Sequence, residues 1–180
     1  VSTGGSKRVG ELAQDPRDHL VIAANNADLP PFVTLISSRP PYAIESKIAF
    51  PKATGGLEQP VWDPTSGMVY VAVPVLGSTP SDGRVVVTDP IQHKLVGMDH
   101  VSQCIPAGLA VGPAAQLFVG CSDDAVSAGF PPYSLLLDTR SGKVTQSFAR
   151  VGERTMSGTI AALETTRRPQ WPIQMAPWLV

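Results

Sequence analysis

The chain has 180 residues, of which 43% are apolar and only 16% charged, and its net charge is −1. That balance suits a folded globular protein and excludes a general nucleic-acid binder, which needs a basic surface against phosphates. No apolar run approaches the roughly 20 residues of a membrane helix, so no membrane span is expected, and eighteen prolines with sixteen glycines predict short strands joined by tight turns.

Residues 1–10 are polar and glycine-containing and read as an N-terminal loop or frayed end. Three similar units follow, at 11–55, 56–104 and 105–152. In the first, strand-like runs occupy 11–14, 20–24, 32–37 and 44–50. In the second they occupy 60–62, 68–73, 84–89 and 93–98, and in the third 108–111, 117–121, 133–138 and 143–150. The turn prolines Pro16, Pro64 and Pro113 lie 48 and 49 residues apart, and Leu20, Met68 and Leu117 repeat both spacings. A period of this length in all-strand units marks propeller blades. Met68, Tyr70 and Ala72 alternate with Val69, Val71 and Val73, so the second strand is apolar on both faces, as a sheet sandwiched between neighbouring blades requires.

Asp89 and Asp138 begin the third-to-fourth turns, where a short carboxylate can bond the backbone two residues on. The second-to-third loops are long and proline-rich, and Pro30-Pro31-Phe32 is echoed by Pro131-Pro132-Tyr133. After Gly152 the repeat fails. Residues 153–180 read as an irregular C-terminal tail with a short helix at 159–167 stopped by Pro169. That tail either covers the blades or does not belong to the repeat, as after a shifted reading frame.

Gly56-Leu-Glu-Gln-Pro-Val-Trp-Asp-Pro-Thr-Ser-Gly-Met-Val-Tyr-Val-Ala-Val73 and Pro106-Ala-Gly-Leu-Ala-Val-Gly-Pro113 resemble the YVTN/NHL-type β-propellers. Within these the chain is similar to the YncE-like group, near the quinoprotein amine dehydrogenase beta chain and the gluconolactonase-like propellers. The resemblance spans residues 10–152. It implies an all-β fold of three four-stranded blades, part of a propeller that closes with six or seven.

It also implies that the second-to-third loops and the inter-blade segments share the mouth of a central channel. Those segments carry Asn25, Asn26, Asp28, Glu58, Gln59, Asp82, His100, Gln103, Asp123 and Asp124. Asn25, Asn26, Glu58, Gln59, His100 and Asp123 are the candidate ligand-binding residues. Gluconolactonase-like propellers bind a divalent cation at the mouth through oxygen ligands, and Glu58, just before an inner strand, is the candidate ligand for calcium. The alternative for each is a solvated loop residue. No other cofactor is expected.

His19 and His93 fall in turns on the face opposite His100, so the three form no shared site. No nucleophile elbow, zinc-protease helix or phosphate loop occurs. Trp62 reads as packing between blades. Cys104 and Cys121 flank one hairpin, and either pair as a disulfide or stay as two small buried thiols. The pairing implies an oxidising compartment, periplasmic or extracellular. The chain as given starts without a signal peptide, which fits a cytoplasmic protein or a mature or fragmentary exported one.

Three functional readings follow. The first is a binding or scaffold propeller, not an enzyme, that contacts a small molecule or a protein at its mouth. The second is a cation-dependent lactone hydrolase. The third is an inactive truncated fragment whose open sheet edges are covered by the tail, pair two chains into a homodimer or leave the protein unstable.

Overall fold

The computed structural model describes residues 1–131 and 133–149; the expected tail helix and the end of the last strand lie outside them. Three four-stranded antiparallel sheets form in chain order. The first comprises β1 (Leu12–Asp15), β2 (Leu20–Asn25), β3 (Phe32–Ser37) and β4 (Ile44–Ala49). The second comprises β5 (Pro60–Trp62), β6 (Val69–Val73), β7 (Asp82–Asp89) and β8 (Lys94–Ser102). The third comprises β9 (Pro106–Gly112), β10 (Gln116–Cys121), β11 (Tyr133–Asp138) and β12 (Lys143–Ala149). Each is a simple meander, and together they are three blades of an incomplete propeller.

The repeat is physical as well as textual. All three blades break register at one place on the third strand, at Leu35/Ile36, Val87/Thr88 and Leu136/Leu137, where the outer strand bulges. The turns also repeat. The Asp15 carboxylate accepts the N–H groups of Arg17 and Asp18 at 2.9 and 3.0 Å, and Asp63 those of Thr65 and Ser66 at 2.8 and 3.2 Å. Asp89 and Asp138 do the same in the outer turns. The left-handed corner that closes each turn is glycine in some copies, Gly67 at φ 76° and Gly142 at φ 66°. In the matching copies it is His19 at φ 57° and His93 at φ 55°. These two histidines are therefore turn corners, on the face opposite the long loops.

Blades stack face to face through two apolar layers. Leu20, Ile22, Val33, Leu35 and Ile48 of the first blade meet Val69, Val71, Val73 and Val86 of the second. On the other side of β6, Tyr70 and Ala72, with Val85 and Val101, meet Leu109, Leu117, Val119, Leu135 and Leu137 of the third. Val69 to Val73 are all buried, as expected for a strand with no wet face. Trp62 packs against the first layer, with the Arg17 guanidinium 5.3 Å from its ring centroid.

One local feature differs from the sequence reading, and another decides between its two alternatives. The loop after β10 holds a short helix, α1 (Asp123–Ser127), whose Ala125 is fully buried against the second layer. Its acidic first turn looks like a solvated loop in sequence, and only Ala125 supplies the anchor. Residues 1–10 form no strand, but they are tied down rather than frayed. Thr3 donates its hydroxyl to Asn25 at 2.6 Å, its carbonyl accepts from Thr34 Oγ1 at 2.8 Å, and Lys47 Nζ donates to the Gly4 carbonyl at 2.7 Å.

Candidate functional site at the channel mouth

The starts of β1, β5 and β9 and the second-to-third loops all lie at one end of the blades, because each meander returns there after its second strand. Glu58 stands at that end, two residues before β5, with its N–H donated to the Ala72 carbonyl at 2.9 Å. The bond recurs 48 residues earlier, where Gly10 donates to Ala24 at 2.9 Å. The Glu58 side chain is half-buried. Burial pushes its carboxyl up to about 7, and the negative charges of Glu11 and Asp124 push the same way against the opposing charge of Arg8. A carboxylate so placed is poised to exchange a proton near neutrality.

Three polar atoms without partners lie in the segments that lead into the inner strands or leave β10. Glu11 Oε2, Asn26 Oδ1 and Ser122 Oγ are buried and make no hydrogen bond. Asn26 is wedged between the approaches to the two inner strands. A Cβ on Gly10 would lie 3.2 Å from its Cγ, and one on Gly56 would lie 2.9 Å from its carbonyl oxygen. Gly56, at φ 79°, is where the chain needs the freedom of glycine to pass this backbone.

The other candidates are engaged elsewhere. Asn25 is fully buried and donates to Thr34 Oγ1 at 2.9 Å and to the Ala23 and Phe32 carbonyls at 3.3 and 3.4 Å. Asp28 holds the N-terminal segment, with Ser6 donating both N–H and hydroxyl to it, and these bonds keep its carboxyl below the usual carboxylate value. Gln59 joins two blades, its Oε1 accepting the Leu109 N–H at 3.1 Å. His100 lies 3.3 Å from Asp82, which also pairs with Arg84, all on the outer two strands of the second blade. Asp123 and Gln103 are exposed. The structure thus brings Glu58 within reach of the charges of Asp124, Glu11 and Arg8, sets Asn26 beside the neighbouring Gly56, and leaves His100 and Asp82 as a separate pair.

Sequence reasoning passed over Glu11, Arg8 and Ser122. The signal for Glu11 was present, since it stands 48 residues before Gln59 in the repeat. Among the described residues, no three His, Cys, Asp or Glu side chains come together in a way that could hold a metal ion.

Cys104 and Cys121 form a disulfide with a Cα–Cα distance of 4.7 Å. It ties the approach to β9 to the end of β10, directly before Ser122 and α1. Ser122 is held further by its N–H, donated to the Ile105 carbonyl at 3.1 Å. Ile105 has φ 36°, a left-handed conformation that costs a β-branched residue dearly and that the surrounding cross-links hold in place.

No family model matches the sequence, and no curated protein matches it. Among solved structures the chain is similar to Kuenenia stuttgartiensis hydrazine synthase, at 16% identity and a TM-score of 0.63, over 85% of this chain and 40% of that one. It is also similar to apo AztD from Citrobacter koseri, at 12% identity and a TM-score of 0.51, over 81% of this chain and 47% of that one. Both are propeller-like, and at these identities the likeness shows the fold alone. The chain spans less than half the length of either. No helix among the described residues is long and apolar enough to cross a membrane.

Proposed function

We propose that these three blades are a binding or scaffold unit, part of a larger propeller, that takes a small polar ligand or a partner's side chain at the channel mouth. One observation carries the reading. Half-buried Glu58, with its raised carboxyl, is within electrostatic reach of Glu11, whose Oε2 is buried without a hydrogen-bond partner, and the mouth segments hold two more such atoms, Asn26 Oδ1 and Ser122 Oγ. Unpaired buried acceptors are costly, and a ligand with several N–H or O–H donors would offset that cost. Positive charge on the ligand would add to the fit, since Glu11, Glu58 and Asp124 outnumber Arg8. The disulfide supports an exported protein, periplasmic or extracellular.

The test is a thermal-shift series with small organic amines and guanidinium compounds on the full chain and on Glu58→Gln. Binding at the mouth raises the melting temperature of the wild type and not that of the variant. Equal shifts in both would place the ligand elsewhere. Millimolar calcium in the same series addresses the lactone-hydrolase reading, which requires a calcium shift that Glu58→Gln abolishes.

A further inference from the structure

We propose that Asp28 latches residues 3–10 as a strap running from the outward flank of the first blade to the mouth, and that the latch sets the surroundings of Glu58. The proposal rests on reading the mouth as the binding site and concerns how that site is kept in shape.

Three anchors hold the strap. On the flank, Thr3 is bonded to Asn25 and Thr34, both of which are fully buried, and Lys47 grips the Gly4 carbonyl. In the middle, Asp28 Oδ1 accepts the Ser6 N–H at 2.8 Å and the Ser6 hydroxyl at 2.6 Å, while Oδ2 accepts the Lys7 N–H at 3.3 Å. At the mouth, Gly10 joins the β2 backbone. Gly5 lies so close to this loop that a Cβ there would stand 2.6 Å from Asn25 Oδ1 and 2.8 Å from Asp28 Oδ2.

Only Arg8 and Val9 separate the latched Lys7 from Gly10, so Arg8 cannot leave the mouth while both anchors hold. Among the described residues, Arg8 is the one cation whose charge acts on Glu58, and Glu11 follows directly. The charged groups in the strap, bonded to it or acting on Glu58 are, among the described residues, Lys7, Arg8, Glu11, Asp28, Lys47, Glu58 and Asp124. Of these, Asp28 alone accepts hydrogen bonds from the strap's own backbone through its side chain, which makes it the point of release.

The strap also explains why the flank tolerates polar residues. The second blade faces the first with Val69, Val71, Val73 and Val86, whereas the matching positions of the first blade are Val21, Ala23, Asn25 and Thr34. Asn25 and Thr34 are satisfied by the strap where the valines are satisfied by a neighbouring blade.

Hydrogen exchange on the full chain and on Asp28→Ala and Ser6→Ala tests the latch, with the titration midpoint of the Glu58 carboxyl followed by carbon NMR in parallel. Opening the latch speeds exchange of the strap amides by about ten-fold or more. Freeing the strap releases Arg8, whose charge opposes the rise of Glu58, and admits water around the carboxyl. Burial is the larger of the two influences, so the midpoint falls from about 7 toward 4.5. Ser6→Ala alters only the strap, leaves the blades intact and gives the same changes in smaller measure. Strap amides that exchange unprotected in the wild type overturn the proposal, as does a Glu58 midpoint that stays fixed while the strap is freed. Neither readout uses a ligand, so a mouth that binds nothing leaves this result standing.

Discussion

The Glu58 carboxyl is the residue at which structure and pH meet. Its value rises from 4.5 to about 7 on folding, so between those limits the folded chain holds a proton that the unfolded chain has released. Below about 4.5 both states are protonated and Glu58 costs nothing. As pH rises through 7 the folded state must ionise a half-buried group, and that part of the stability is lost. Glu58→Gln removes the proton exchange, so the melting temperature of the variant should gain on the wild type from pH 5 to pH 8. With Glu58 half exposed and screened by water, the gain should be small, about 2 °C. Parallel melting curves across that range would count against the raised value. Asp28, Asp63 and Asp138 have lowered values and act in the opposite sense at more acid pH, below the window in which Glu58 titrates. The turn histidines give a second test. His93 sits at φ 55° where the matching corner of the third blade is Gly142. His93→Gly should relieve about 1 kcal/mol of left-handed strain, less the entropy that glycine adds to the unfolded chain, for a net rise of 1–2 °C at roughly constant denaturant slope. Urea unfolding measures it.

At the scale of the element, the third blade depends on a cross-link that the first two lack. The disulfide closes a 17-residue separation across the β9–β10 hairpin. By the chain-entropy account a loop of that length contributes about 3 kcal/mol. Cys104→Ala with Cys121→Ala should lower the melting temperature by several degrees and increase exchange in α1, which hangs from Cys121 through Ser122. Differential scanning calorimetry and exchange of the Ala125 amide give the two readings. How far elements could be read from sequence follows the same physics. Strands were legible because β6 is a run of valine, tyrosine and alanine and β10 centres on Leu117, Phe118 and Val119, each after an Asp-Pro or Gly-Pro turn, and those signals are local. Helix α1 was not legible, because five residues of mostly polar sequence carry no period, and only burial of Ala125 in a distant layer makes them helical. The site was half legible. Glu58 stands out by its place before an inner strand, but Glu11 and Arg8 act on it only because segments far apart in sequence pair. Asn25 and Asp28 looked like mouth residues because they lie in the right loop, yet the strap claims both.

At the scale of the molecule, three blades in a row make a short one-dimensional stack in which each blade touches only its neighbours. The second blade contributes to both apolar layers, Val71 facing the first blade and Tyr70 the third. The first and third contribute to one layer each. A cavity in the middle should therefore weaken the whole stack, while a cavity in a terminal blade should loosen that blade ahead of the rest. Val71→Ala removes two methyl groups from a fully buried site, and Leu135→Ala opens a larger hole in the third blade at a site only 1% exposed. The costs are about 1–3 and 2–5 kcal/mol. Residue-level hydrogen exchange distinguishes the two patterns. Val71→Ala should lower protection in β2, β6 and β10 together by similar factors. Leu135→Ala should lower it in β10 and β11 first, leaving β2 within about three-fold of the wild type. Light scattering on the same samples must show a single species, monomer or defined dimer, for the comparison to hold. Uniform loss of protection in both variants would mean that the three blades unfold as one unit, with layers too strongly coupled for nearest-neighbour behaviour. Separate loss in Leu135→Ala would make the first two blades the stable base on which the third, cross-linked blade carries Ser122 and Asp124 to the mouth.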